Sequence, residues 1–387
     1  MNKSDFSSVS PGKLVRTLEG DWGFVPDPLP PTIELDLKLV NLLTDAERSI
    51  GELSGIGKRL PNPHLLIGPF LSREAILSSR IEGTHATAKE LALFEAEIPD
   101  GPKNQDVQEV ANYVAAMKYG LAHLKELPVC LRLIKDLHRV LLDGVRGEEH
   151  TPGEFRKRQN LIGKKGQNAA QARFVPAPVH EMDQCLNDLE KYIGQPNDLP
   201  VLIQMALIHY QFETIHPFMD GNGRIGRLLT SLLMCERGCL SQPLLYLSAY
   251  LENHRELYMN SLLQVSQRGA WYEWISFFIQ GVAEQAKDAI TRTNKLCSLW
   301  DSYRERMQSA RSSALSLKLV DTLFEYPVTT VPQATHRLNV TPHSAQNNIE
   351  KLQAEGILKE VTGKQRNRIY LAPEIIKIIE EENNSEE

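Results

Sequence analysis

Apolar residues spaced three and four apart run through most of the first 300 or so positions and predict a chain built mainly of α-helices. Between 36 and 54, Leu37, Leu39, Val40, Leu42 and Leu43 fit a helix, with Thr44 and Asp45 interrupting it or opening the next. Leu71, Ala75, Ile76 and Ile81 predict a helix over 71–82, stopped by Gly83 just past its last turn. Further helices are expected over 84–95, 104–126, 129–144, 179–194, 199–215, 223–236, 253–267 and 270–307. Ahead of them, the first 35 or so residues are proline-rich and aperiodic, which predicts an extended arm wrapping the body. The texture changes at Thr151, where glycines, prolines and two β-like pieces at 160–163 and 172–175 predict a hairpin or flap. It changes again near Ala310, to helix, short helix, turn, helix and then two strands joined by 363–368. Thr341 and Pro342 open the last of those helices, which buries Ala345, Ile349 and Leu352. That order is a winged helix-turn-helix of α+β type.

These patterns divide the 387 residues into an N-terminal arm with helices (1–100), a helical core (101–300) carrying the flap at 160–176, a C-terminal module (310–375) and an acidic tail (378–387). Hydrophobic residues at 42% and charged residues at 24% exclude disordered and collagen-like classes. No apolar run approaches the length of a membrane span and the start lacks the apolar core of a signal peptide, so no membrane partner and a cytoplasmic location are expected. The five cysteines are scattered without a C-x-x-C pair, which argues against a disulfide framework, and Cys235 and Cys239 read as packing rather than as metal ligands. The net charge of −6 is uneven: 311–377 carry nine Lys and Arg against six Asp and Glu, while 378–387 carry five glutamates. A mildly basic module beside acidic neighbours hints at an anionic partner.

The densest chemistry lies in the twelve residues from His216 to Arg227, HPFMDGNGRIGR, between two helical stretches. Gly221, Asn222 and Gly223 feeding a helix N-terminus expose backbone N–H groups, with the positive end of the helix dipole behind them, toward phosphate oxygens. Arg224 and Arg227, three apart, can clamp outer phosphates bidentately. Asp220 supplies a hard oxygen for Mg2+, and His216 is of the type that accepts a proton from a hydroxyl nucleophile. Taken singly, His-Pro reads as a helix stop, Asp-Gly-Asn-Gly as a turn and the arginines as a solvated face. Their concentration within one short segment outweighs that reading.

This segment resembles the signature of the Fic (filamentation induced by cAMP) domain, HPFxDGNGRxxR, at all nine fixed positions. The resemblance covers roughly 70–280 and implies a Fic-type helical core with a small β-hairpin flap. It implies a protein adenylyltransferase that moves AMP from ATP, its substrate, to a Ser, Thr or Tyr hydroxyl of a protein target, which includes the enzyme itself. By that resemblance His216 is the general base, Asp220 the ligand of the Mg2+ cofactor, 221–223 the anion hole, Arg224 and Arg227 the phosphate clamps, and Phe218 the loop's anchor in the core. The flap then docks an extended target segment edge-on through Ala172, Arg173, Phe174 and Val175. Tyr258 falls near the family's adenine-pocket aromatic, with packing against Leu262 in an ordinary core as the alternative.

The end of the 71–82 helix gains meaning from the same resemblance. Ser78 to Gly83, SSRIEG, matches the inhibitory pattern [ST]xxxE[GN] placed upstream of Fic cores. It implies that Glu82 pairs with Arg227 and leaves ATP unfit for attack. The C-terminal module carries Gln346, Asn347 and Lys351 on its third helix and Lys364, Arg366 and Arg368 in its wing, a set able to meet DNA, diluted by Glu350 and Glu355. Two other functions therefore stand beside the transferase. One is a DNA-binding regulator with a nucleotide-sensing body; the other is AMP removal, or transfer of another phosphate-containing group, at the same site. A homodimer is left open.

Overall fold

The computed structural model describes residues 1–59, 64–96, 104–147, 151–164, 166–309 and 313–381. In chain order the elements are β1 (Gly12–Arg16), β2 (Trp22–Pro26), α1 (Leu37–Arg59), α2 (His64–Ile81), α3 (Ala88–Glu95), α4 (Gln105–His123), α5 (Leu131–Leu141), α6 (Val179–Gly194), α7 (Val201–Ile215) and α8 (Asn222–Glu236). They continue with α9 (Ser248–Asn253), α10 (Arg255–Arg268), α11 (Trp271–Ser309), α12 (Ala314–Glu325), β3 (Val328–Thr330), α13 (Val331–Leu338), α14 (Pro342–Ala354), β4 (Lys359–Glu360), β5 (Ile369–Leu371) and α15 (Pro373–Glu380). The chain is mainly helical, as the apolar spacing predicts.

Two compact units emerge, one of 1–51, 112–240 and 247–285, the other of 52–111, 241–246 and 286–387. The first opens on a hairpin where an extended arm was expected. β1 and β2 pair antiparallel from Gly12 opposite Pro26 to Arg16 opposite Trp22. The turn between them closes because Gly20 takes φ +89°, a conformation open to glycine, while the Thr17 N–H reaches the Asp21 carbonyl at 2.8 Å. At the centre of this unit α7 is buried at all but two of its positions, as a helix apolar on every side must be. It packs on α8, itself mostly buried. Where they cross, a Cβ on Gly226 would stand 2.3 Å from Glu213 Oε1, so that carboxylate would have to move.

In the second unit α2 lies on α12 so closely that a Cβ on Gly68 would stand 3.0 Å from the Glu325 carbonyl oxygen. Helices α12 to α14 sit with an antiparallel sheet of order β3-β5-β4, the element order expected for 310–375 with β3 added before the second helix. Asn348 fastens the first and third of those helices, its Oδ1 accepting from Ser316 at 2.5 Å and Ser313 at 3.2 Å. Helix α15 was not foreseen. Ile375, Ile376 and Ile379 give it a buried side, so positions 378–380, expected in an acidic tail, form its last turn, and 382–387 lie outside the described residues.

Other departures are local. Helix α1 runs unbroken through Thr44, whose hydroxyl donates to the Val40 carbonyl at 2.8 Å and so stays within helical geometry. The helix expected over 253–267 is α10, which starts at Arg255, and the short α9 ahead of it was not foreseen. Strand pairing in the flap is reduced, among the described residues, to one antiparallel bridge, Ile162 to Phe174. No helix among the described residues is long and apolar enough to cross a membrane.

Candidate active site

The site grows from the C-terminal end of α7. Its last residue, Ile215, is followed by His216 in the left-handed region at φ 51°, a position usually given to glycine because a side chain there is strained. The imidazole Nδ1 lies 3.2 Å from the Glu213 carbonyl oxygen. A carbonyl only accepts, so Nδ1 carries a proton, and in the neutral ring the lone pair is on Nε2. The side chain keeps 21% of its surface exposed.

Between His216 and α8 the backbone turns through Phe218, Asp220 and Gly221. Phe218 is fully buried and stacks face to face on His138, centroids 3.7 Å apart and planes 4° apart. Gly221 caps α8 at φ 78°, with Leu141 and His138 close to where a Cβ would stand. Asn222, expected in the anion-binding loop, has its side chain turned inward. Its Oδ1 accepts from the Phe218 N–H and its Nδ2 donates to the Phe218 carbonyl, each at 2.8 Å. The side chain therefore braces the turn, and any anion contact from Asn222 falls to its backbone N–H.

Arg224 and Arg227 are each only 3% exposed, which sets aside the solvated-face reading. Arg224 Nη2 stands 3.6 Å from Asp220 Oδ1, and that oxygen also accepts from the Gly221 N–H at 2.5 Å. Two guanidinium groups withdrawn from water beside a helix N-terminus form a region of concentrated positive potential. Asp220 keeps 46% of its side chain exposed, and a Cβ on Gly147 would stand 2.9 Å from its Oδ2. No group of three or more His, Cys, Asp or Glu among the described residues could hold a metal alone. One accessible carboxylate fits Mg2+ nonetheless, because that ion is habitually held by one or two carboxylates together with substrate phosphates and water.

Three residues at the site carry no motif in the sequence. His138 of α5 is 1% exposed, accepts from the Gly153 N–H on Nδ1 at 2.8 Å and so donates from Nε2 to the Asp220 carbonyl at 3.0 Å. Burial lowers its pKa to about 4, so it is neutral. Arg156 and Asn160, 2% and 8% exposed, reach the backbone of 215–218 from the segment that leads into the flap. The one signal in the sequence was a polar residue at a core position of α5, beside Leu133, Ile134, Leu137 and Leu141.

In the flap Ala172, Phe174 and Val175 are buried, and Arg173 alone of the expected docking residues reaches outward, to Glu256 at 3.4 Å and Asn260 at 2.7 Å on α10. Phe174 exchanges both backbone hydrogen bonds with Ile162, while the Val175 carbonyl accepts from Phe24 of β2 at 3.0 Å. Tyr258 lies in the core at 1% exposure, its hydroxyl 2.8 Å from His209 Nε2. That environment is the packing alternative raised for it. In the second unit Ser78 is fully buried in the last turn of α2, Glu82 follows it at the surface, and Gly83 ends the segment at φ 89°.

Two central helices thus bring an imidazole, a carboxylate and two buried arginines together around one glycine loop. Residues 128–234 match the Fic/DOC family and residues 40–122 match the Fic/DOC family N-terminal region. The chain thus contains a Fic domain together with the N-terminal region that accompanies it in the Fic/DOC family. It is 33% identical over 163 residues to a protein adenylyltransferase Fic of Drosophila grimshawi and 32% identical to that of Drosophila mojavensis. These matches cover 41% of this chain but only 32% and 30% of those relatives' lengths. Among solved structures, a Fic family protein from Desulfovibrio desulfuricans superposes with a TM-score of 0.58 at 16% identity, covering 89% of this chain and 98% of that one. A Fic domain containing signaling protein from Bacteroides thetaiotaomicron superposes at 0.51 and 19% identity, over 66% of this chain and 97% of its own. At such identities the likeness is one of fold.

Proposed function

We propose that this protein is a nucleotidyltransferase that moves AMP from ATP to a side-chain hydroxyl of a protein. The observation that carries the reading is the His216 to Arg227 turn, in which an imidazole with its lone pair on Nε2 precedes a glycine-capped helix N-terminus flanked by two buried arginines. In the reaction the target oxygen attacks the α-phosphorus, its proton passes to His216 Nε2, and the bond from that phosphorus to the bridging oxygen breaks, releasing pyrophosphate. Backbone N–H groups at 221–223 and the guanidinium groups of Arg224 and Arg227 hold the phosphates and stabilise the charge that develops on them. Asp220 would hold Mg2+, which supplies further neutralisation of phosphate charge. Base catalysis contributes roughly 10² to 10⁴-fold. Because Phe174 and Val175 are bonded on their two sides to Ile162 and to β2, we place target docking on the other edge of 160–163, where Leu161 is 38% exposed.

Restraint by Glu82 is part of the same proposal and follows from its place after α2. The test is incorporation of label from α-labelled ATP with Mg2+ into wild type, Glu82→Gly, and the Glu82→Gly, His216→Ala double variant, with and without added cell lysate. Label mainly in Glu82→Gly and none in the double variant is the expected result. No label in any of them, with ATP still bound, overturns the transferase reading.

A second reading concerns the C-terminal module, which we infer to be a winged helix. What favours it is the exposed 363–368 connection carrying Lys364, Arg366 and Arg368, beside the exposed Asn347 and Lys351 of α14. Duplex DNA is its expected ligand, and retention that falls steeply with added salt is the signature to measure.

A further inference from the structure

We propose that Arg156 and Asn160 are positioning residues for His216, making the base and the root of the flap one hydrogen-bonded unit. The proposal rests on the reading of His216 as the base. At the end of α7 the last carbonyls have no helical partner, and the chain is turned immediately into a left-handed residue that is not glycine. Four successive carbonyls are taken up by these two residues. Ile215 accepts from Arg156 Nη2 at 3.3 Å, and His216 from Arg156 Nε at 3.0 Å and Asn160 Nδ2 at 3.1 Å. Pro217 accepts from the Arg156 backbone N–H at 2.9 Å, and Phe218 from Asn160 Nδ2 at 2.8 Å.

The energetics point the same way. Arg156 is 2% exposed, and its side-chain hydrogen bonds all end on carbonyls, those of Arg158 and Ala177 being the other two. Burial lowers its pKa to about 10. A cation kept in the interior without a carboxylate is costly, and here it faces the negative end of the α7 dipole. Its bonds offset the strain of a side chain at φ 51°. They thereby fix where the imidazole stands. Asn160 is also two residues from Ile162, which bridges to Phe174, so a target strand laid along 160–163 bears directly on the residue that holds the His216 carbonyl.

The experiment compares Asn160→Ala and Arg156→Lys with the parent, all in the Glu82→Gly background. Affinity for ATP with Mg2+ by calorimetry, kcat for AMP transfer, Tm, and the ring nitrogen shifts of His216 by 15N NMR are measured together. Asn160→Ala is expected to keep ATP affinity within about threefold while kcat falls on the order of 10²-fold, the scale of a displaced catalytic group. The His216 nitrogens are expected to shift from a single Nδ1–H tautomer toward a mixture, with Arg156→Lys intermediate in both readouts. Unchanged His216 shifts in both variants overturn the proposal, as does a parallel fall of kcat, ATP affinity and Tm. The NMR arm needs no turnover, so a parent without transferase activity would sink the functional reading while the shifts still decide the positioning role.

Discussion

An imidazole hydrogen bonded on both nitrogens deep inside a protein reports its own tautomer, and His209 does so. Thr230 Oγ1 donates to the Gly226 carbonyl at 3.0 Å and so accepts from His209 Nδ1 at 3.1 Å, which leaves Nε2 to accept from the Tyr258 hydroxyl at 2.8 Å. Tyr258→Phe therefore leaves a buried acceptor without that donor, and we expect stability to fall by about 1–3 kcal/mol, measured by urea unfolding. ATP affinity should hold, since the ring stays in place; a tenfold loss would return Tyr258 to the nucleotide pocket. The contrast with His216 shows what a sequence can reveal at this scale. The residues from His216 to Arg227 were legible because chemistry of several kinds is contiguous there. Arg156 and Asn160 were not, because their partners are backbone carbonyls about 60 positions away, 56 to 60 for the bonds to His216.

Elements meet where a single small or charged residue permits it. Gly226 lies where α8 crosses α7, and since an added Cβ would stand 2.3 Å from Glu213 Oε1, Gly226→Ala must displace that carboxylate beside the turn at His216. We expect a loss of about 1–3 kcal/mol, read as a lowered Tm with a lower kcat. At the other end of the chain the last carbonyls of α15 accept from two arginines. Arg73 of α2 reaches Ile379 at 3.3 Å and Glu381 at 3.0 Å; Arg292 of α11 reaches Ile378 and Glu381, each at 2.6 Å. Arg292→Ala should cost roughly 1.5–3 kcal/mol, as expected for hydrogen bonds to a charged donor, and differential amide exchange should locate the loss at α15. Periodicity revealed most of the helices but not this last one, whose short apolar side is completed only by packing. It also misjudged the flap, where residues with β character lie buried against β2 instead of forming a regular hairpin.

For the molecule as a whole, the interior histidines set the response to acid. His209 is held neutral by burial, its pKa lowered to about 3, whereas in the unfolded chain it titrates near 6.5. Below about pH 6.5 the unfolded chain thus binds a proton that the native state refuses, and stability falls by up to about 1.4 kcal/mol per pH unit from this residue. Above that pH its contribution is level. The check is urea unfolding at pH 7.5, 6 and 5, with His209→Gln expected to flatten the acid decline. None of this could be foreseen from composition, which counts 11 histidines and says nothing of which are enclosed.

Ionic strength acts on this protein selectively because of how Arg156 is fastened. Dissolved ions screen charges that water reaches, such as Lys135 and Glu154 at 3.2 Å or Lys295 and Glu381 at 2.6 Å. The Arg156 guanidinium ends on the carbonyls of Arg158, Ala177, Ile215 and His216, neutral dipoles in a region that salt does not enter. Brine that dissolves the surface pairs would leave the His216 backbone held where it is.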